Sequence, residues 1–382
     1  MSETLDRRGF LKIGLAAGGA VALAACAPEP TPSPERERQT QIEFGFNTRF
    51  YTSPNEQLLH LDRFKTTCDQ LAALQIPWIR FPLWHWDIKP ETLPKYDEAI
   101  GYAKRKGLKV FLTTSVDRIK PELRYREQEL RRTRRQYELL GRRYGDKVDY
   151  WQIANEGDDH RDDDYNRSPG FPFPEGYLER RRLFHKTAVD SLRNTVKLKY
   201  GVDAKVTTSV SKWQGADAGI YNPEEIVYFD AICGFGNPGG DVSQPCSDLD
   251  AISLDFYPDL NSNEILDLPR QVAYFSTRYG RGEQNGRKDV IVAEVGLPER
   301  STKEHARDWD PAHQAASIIA TIRSLDRGEV KPKLVFPYEY IDTVARDVNS
   351  HEGSFGIMYA DGTPKESFEQ VIREIWRIQD QG

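Results

Sequence analysis

The chain has 382 residues, 38% of them hydrophobic and 29% charged, a balance that excludes a disordered chain or a fibrous repeat and suits one large domain or two modest ones. Its 53 basic and 59 acidic side chains are interspersed and leave a net charge of −6, so the electrostatic footprint of a nucleic-acid binder is missing and small neutral or polar substrates are favoured. Four cysteines are too few for a disulfide scaffold at this length, which leaves the fold to a hydrophobic core.

The first element in chain order is a targeting segment. The run Ile13 to Ala25 is free of charge but too short and too rich in Gly and Ala to span a bilayer, and it suits the core of a signal peptide. Before it stands Asp6-Arg7-Arg8-Gly9-Phe10-Leu11-Lys12, which resembles the twin-arginine export signal. After it, Leu23-Ala24-Ala25-Cys26 resembles a lipoprotein lipobox, which implies lipid attachment at Cys26. Residues 1–25 are therefore expected to form a signal peptide and 26–41, rich in Pro and charge, a tether. Its expected partners are the twin-arginine translocation machinery and, through the lipid, a membrane at the periplasmic or cell-surface side of a bacterium.

From Ile42 to the end, short β-branched or aromatic runs alternate with amphipathic stretches of helical length, the pattern of βα units on a parallel sheet. Strands are predicted at Glu43–Asn47, Trp78–Phe81, Lys109–Thr114, Val148–Asn155, Lys205–Val210, Ala251–Tyr257, Val290–Glu294 and Leu334–Tyr338. Helix starts are signalled by Ser53-Pro54-Asn55-Glu56 and Thr363-Pro364-Lys365-Glu366, each with a hydroxyl cap, a Pro and a Glu at capping-box spacing. Asn222-Pro223 and Asp310-Pro311 offer a similar cap and Pro. In the Arg-rich span 124–147, Leu130, Tyr137, Leu140 and Tyr144 recur at helical spacing, so the arginines are assigned to a solvated face. Without an internal repeat or a shift in composition, residues 42–382 read as one α/β domain, a (β/α)8 TIM barrel. Cys233 and Cys246 flank a Gly/Pro-rich loop and can bridge in an oxidising compartment or stay free.

Barrel enzymes build their sites at the carboxyl ends of the strands. The fourth strand ends Trp151-Gln152-Ile153-Ala154-Asn155-Glu156 and the seventh ends Val290-Ile291-Val292-Ala293-Glu294. Three strands apart on a ring of eight, the two glutamates face each other across the mouth. Facing carboxylates suit glycosidic bond cleavage, one protonating the leaving oxygen and the other meeting the oxocarbenium-like carbon. Here the chain resembles clan A of the retaining glycoside hydrolases, over roughly residues 42 to 380. The resemblance implies Glu156 as general acid/base, Glu294 as nucleophile, Asn155 as the ligand of the sugar 2-hydroxyl, Arg80 as a cation beside the nucleophile and Tyr257 as a hydrogen-bond donor to it. The segment Gly353 to Lys365 also resembles the one that follows the last strand in such enzymes.

The chain departs from the clan's pattern in two places. Phe336-Pro337-Tyr338-Glu339-Tyr340 has no Trp at the eighth strand end, so a tyrosine, with Tyr338 the candidate, serves as the sugar platform or the subsite differs, and the third strand ends Thr113-Thr114-Ser115 without a histidine. Trp84, Trp86 and Trp213 follow strand ends, where rings stack on sugars or pack under loops; His85 reads as structural. The acidic cluster Asp158, Asp159, Asp162, Asp163 and Asp164 lacks the EF-hand pattern and reads as a solvated loop. No zinc motif, P-loop or dinucleotide fingerprint is found, so neither a cofactor nor a metal is expected. A carbohydrate is the expected ligand, of a retaining hydrolase acting on β-linked poly- or oligosaccharide or, alternatively, of a surface carbohydrate-binding lipoprotein without turnover. A Schiff-base lyase or aldolase is disfavoured, because no Lys ends a predicted strand; Lys212 comes nearest.

Overall fold

The computed structural model describes residues 41–49, 60–114, 126–155, 176–211, 223–235, 246–257, 264–280, 286–298, 311–343 and 353–381. Its strands are β1 (Glu43–Asn47), β2 (Trp78–Leu83), β3 (Lys109–Thr114), β4 (Tyr150–Ile153), β5 (Val206–Thr207), β6 (Ser209–Ser211), β7 (Ala251–Phe256), β8 (Asp289–Val295) and β9 (Leu334–Pro337). Its helices are α1 (Leu61–Ala73), α2 (Leu93–Arg105), α3 (Arg126–Tyr144), α4 (Tyr177–Tyr200), α5 (Pro223–Cys233), α6 (Glu264–Tyr279), α7 (Pro311–Arg327) and α8 (Glu366–Gln379).

The strands form one parallel sheet in the order β5-β4-β3-β2-β1-β9-β8-β7-β6. The two ends of that order, β5 and β6, are separated in sequence by Thr208 alone. Val206 and Thr207 pair with β4, whereas Ser209 to Ser211 pair with β7. The sheet thus closes through the chain itself as a single-domain (β/α)8 TIM barrel, and the expected strand Lys205–Val210 is one stave split between two neighbours.

Strand periodicity sorts the side chains into two layers. Ile79 and Phe81 of β2, Val110 and Leu112 of β3, Trp151 and Ile153 of β4, and Ile252 and Leu254 of β7 belong to the larger core cluster shared with the helices. The alternate positions Trp78, Phe111, Tyr150, Ala251, Ile291, Ala293, Leu334 and Phe336 fill the barrel interior. There Phe111 stacks on Tyr150 at 5.7 Å and meets Phe336 edge-on at 5.1 Å. Gly45 of β1 is required by this filling, since a Cβ would lie 2.4 Å from the Phe336 ring.

The helices bury the stripes their sequences predict. In α3, Tyr137, Leu140 and Tyr144 are buried while Arg131, Arg132, Arg134 and Arg135 are exposed, the solvated arginine face expected. Helices α5 and α7 begin on Pro223 and Pro311. The capping box expected at Thr363 does not form: α8 begins at Glu366 with Lys365 as its N-cap. The Thr363 hydroxyl instead donates to Asp361 Oδ1 at 2.6 Å, committed to the preceding turn, and Pro364 bridges to Met358. The box expected at Ser53 lies outside the described residues. Cys233, the last residue of α5, is disulfide-bonded to Cys246, which settles the open pairing. Cys68 of α1 is a buried thiol whose pKa burial pushes up to about 12.

Candidate active site

Five of the expected residues converge at the carboxyl ends of the strands: Arg80 in β2, Asn155 beyond β4, Tyr257 after β7, Glu294 in β8 and Tyr338 after β9. Strict alternation from Ile291 and Ala293, both interior, would turn Glu294 toward the helices. A bulge prevents this. Leu254 pairs with Val292 but Asp255 pairs with Glu294, and β9 shows the same shift between Val292 and Val295, so Ala293 is an extra residue relative to both neighbours. Bulges re-aim the side chains that follow them. Here Glu294 enters the mouth while Val295 joins the core shared with the helices. Asn47, which closes β1, donates from Nδ2 to the Ala293 carbonyl at 2.9 Å.

A second local device shapes the end of β4. Ala154 has φ of 67°, a left-handed conformation that costs a non-glycine residue about 1–2 kcal/mol. Its amide donates to the Thr114 carbonyl at 2.9 Å, and the turn brings the Asn155 side chain back to Arg80. Strain of this kind gathers at functional sites.

Arg80 organises the site. Its five N–H groups are all engaged: Nε and Nη2 donate to Gln152 Oε1 at 3.2 and 3.0 Å, Nη2 to Asn155 Oδ1 at 2.8 Å, and Nη1 to Glu294 Oε1 at 2.7 Å and to Asn47 Oδ1. The Tyr257 hydroxyl donates to the other carboxylate oxygen, Glu294 Oε2. Glu294 thus has one oxygen on a fixed cation and the other on a phenol. Gln152 Nε2 donates to Asn155 Oδ1 at 2.9 Å and to Ser209 Oγ at 2.8 Å, and Ser209 donates to Asp255 Oδ2 at 2.7 Å.

Aromatic rings back this polar floor. Tyr257, Tyr338 and Phe355 pack edge-on with centroids 5.3–5.9 Å apart, and the Arg49 guanidinium lies 5.1 Å from the centre of the Tyr338 ring. The Tyr338–Glu339 peptide is cis. Glu339 is fully buried; its carboxylate pairs with Arg49 Nε at 3.4 Å. Burial pushes its pKa up to about 7 against the opposing pull of Arg49 and Arg63, with Asp342 and Glu294 reinforcing the rise.

Trp84 and His85 are half-buried at the carboxyl end of β2, with His85 opening a short 3-10 turn. Glu156, Trp213, Lys212, Cys26 and the acidic cluster 158–164 lie outside the described residues, as does the side chain of Trp86. Among the described residues, no group of three or more His, Cys, Asp or Glu side chains is placed to hold a metal. Sequence reasoning missed Asn47, Gln152, Ser209 and Asp255. The signal was present as polar residues at inward positions of apolar strands, since Gln152 and Asp255 interrupt buried runs.

Solved structures share this fold. GH5_18 from Streptomyces cattleya in complex with GlcNAc matches with a TM-score of 0.62 and 15% identity, over 90% of this chain and 82% of that one. The family 1 β-glucosidase from Thermotoga maritima matches at 0.61 and 14% over 90% and 99%, respectively. A GH5_18 variant from Bifidobacterium longum subsp. longum in complex with Manb1-4GlcNAc matches at 0.57 and 13% over 89% and 78%. No protein-family profile matches the sequence, and no curated protein does either. At these identities the likeness establishes the fold alone, a (β/α)8 TIM barrel.

Proposed function

We propose that the chain is a retaining glycoside hydrolase that cleaves β-linked bonds of a poly- or oligosaccharide by double displacement. The observation that carries this reading is the Glu294 carboxylate, aimed into the mouth by a bulge and held between Arg80 and the Tyr257 hydroxyl. Two fixed donors orient the carboxylate for attack on an anomeric carbon. Glu156, next in sequence to Asn155, is the general acid: it protonates the leaving oxygen as Glu294 forms the glycosyl ester, then as base takes a proton from the water that hydrolyses it. Asn155 binds the sugar 2-hydroxyl, and Tyr338, Trp84, Trp86 and Trp213 supply ring faces to the sugars. Structural neighbours bound to GlcNAc and to Manb1-4GlcNAc support carbohydrate as the ligand class.

The test uses aryl β-glycosides and a polysaccharide panel. Glu294→Ala should abolish turnover, and azide should rescue it with an inverted glycosyl azide. Glu156→Ala should still be glycosylated by substrates with good leaving groups, accumulate the intermediate, and give a retained azide. Hydrolysis unaffected by either substitution refutes the assignment.

The site of action proposed is outside the cytoplasm, with the protein exported by the twin-arginine route and tethered through lipid at Cys26. The Cys233–Cys246 disulfide supports an oxidising compartment. No helix among the described residues is long and apolar enough to cross a membrane. Arg7→Lys with Arg8→Lys should block export, and Cys26→Ala should release the protein from the membrane fraction. Wild-type protein found soluble in the cytoplasm refutes this part.

A further inference from the structure

The polar network beneath Glu294 has a direction. Ser209 gives its hydroxyl hydrogen to Asp255 Oδ2, so it presents a lone pair to Gln152 Nε2 at 2.8 Å. That fixes the Gln152 carboxamide with Nε2 toward Ser209 and Oε1 toward Arg80, where Oε1 accepts two guanidinium N–H groups. With this orientation, Gln152 Nε2 also donates to Asn155 at 2.9 Å, alongside the 2.8 Å bond from Arg80 Nη2. Both neighbours are donors with no acceptor capacity, so the Asn155 atom between them must be the carbonyl oxygen. A flip of the amide would set N–H against N–H. The Asn155 NH2 group is left as the part of the side chain that the network does not engage.

We propose that Gln152 is a positioning residue which, with Arg80, locks the Asn155 carboxamide so that its Nδ2 donors face the ligand and the subsite takes an oxygen acceptor, the hydroxyl beside the reacting carbon. The identity of that hydroxyl rests on the glycosidase reading; the locking of the amide does not. Gln152 touches neither substrate nor Glu294, and acts through Asn155. Because Gln152 is fully buried, its effect reaches the mouth only along these bonds.

The test compares kcat/KM for an aryl β-glycoside and its 2-deoxy analogue. Gln152→Glu keeps the acceptor for Arg80 but removes the donor to Asn155 and offers it a carboxylate, which draws Nδ2 inward. The ratio of hydroxy to deoxy substrate should fall by about tenfold, the worth of one hydrogen bond made in the transition state, with the deoxy rate unchanged within about twofold. Gln152→Met, which adds no charge, is the second variant and should lower the same ratio. Equal losses on both substrates, or an unchanged ratio in both variants, overturn the proposal. Crystal structures of the wild type and Gln152→Met read the locking without turnover: Asn155 should leave its wild-type rotamer in the variant, and an unmoved Asn155 overturns the proposal. A wild-type chain inactive on both glycosides would refute the glycosidase reading while leaving this structural comparison to decide the role of Gln152.

Discussion

Arg80→Met should cost about 3–5 kcal/mol of stability, the range for breaking a buried ion pair from one side. Arg80 and Glu294 are 3% and 6% exposed, which puts them in that regime rather than in that of surface pairs, worth less than about 1 kcal/mol. Removing the guanidinium also orphans the acceptors Gln152 Oε1 and Asn47 Oδ1, each worth about 1 kcal/mol or more when buried without a partner, while Asn155 Oδ1 keeps the bond from Gln152 Nε2. Glu294→Leu removes the charge that Arg80→Met leaves uncompensated, so the double variant should be more stable than the sum of the single losses predicts, by about 2 kcal/mol or more. Urea unfolding of the four proteins at pH 7, followed by tryptophan fluorescence, measures the coupling. Because the pair is buried, the coupling should change little between low and high salt. Losses that add within about 0.5 kcal/mol, or an Arg80→Met cost below about 1 kcal/mol, would refute the reading of Arg80 as the centre of the site.

His185 is buried in α4, and burial, aided by the charge of Arg193, lowers its pKa to about 3. The unfolded chain takes up a proton below about pH 6.5 that the native state refuses, so this stability is present above pH 6.5 and is lost as pH falls toward 3. His185→Leu should therefore gain about 2 kcal/mol on wild type between pH 7.5 and 5, in paired urea titrations; an equal difference at both pH values would sink the argument. Glu339 has the opposite sign: its folded pKa of about 7 lies above the ordinary 4.5, the native state holds the extra proton, and stability falls by about 3 kcal/mol as pH rises through that window. Glu339→Gln should flatten this fall, and a slope identical to wild type would count against it. The Cys233–Cys246 bridge closes a separation of 13 residues, so replacing both by Ser should cost about 3 kcal/mol, read as a lower thermal midpoint that reductant no longer changes.

The barrel is legible because the predicted runs are short, mainly apolar, aromatic or β-branched stretches alternating with amphipathic stretches of helical length, a pattern that sequence periodicity detects directly. The run at Lys205–Val210 was also found, but its division at Thr208 reflects a change of pairing partner that no local pattern records. Glu294 follows from asking what closes each strand, whereas Arg80, Asn155 and Tyr257 come from the resemblance to clan A and Tyr338 from a departure from its pattern. Gln152, Ser209 and Asp255 were passed over because they lie inside strands, where a polar residue signals function only once its facing direction is known. The expected Thr363 cap fails because Thr363 belongs to the preceding turn: its backbone N–H and hydroxyl both donate to Asp361 Oδ1 and its carbonyl accepts from Tyr359, so the chain becomes helical only at Glu366.

The bulge in β8 makes the direction of Glu294 a matter of strand pairing as well as of residue identity. Deleting Ala293 alone would put β8 back in phase with β7 and β9 and leave Glu294 opposite Asp255, still facing the mouth, because the bulge absorbs the one residue that both neighbours lack. A β8 that kept Ala293 but paired regularly would instead set Ala293 opposite Asp255 and turn Glu294 toward the helices, with no side-chain chemistry changed. In comparing this chain with distant relatives, a gap at Ala293 is therefore compatible with a glutamate that keeps its direction.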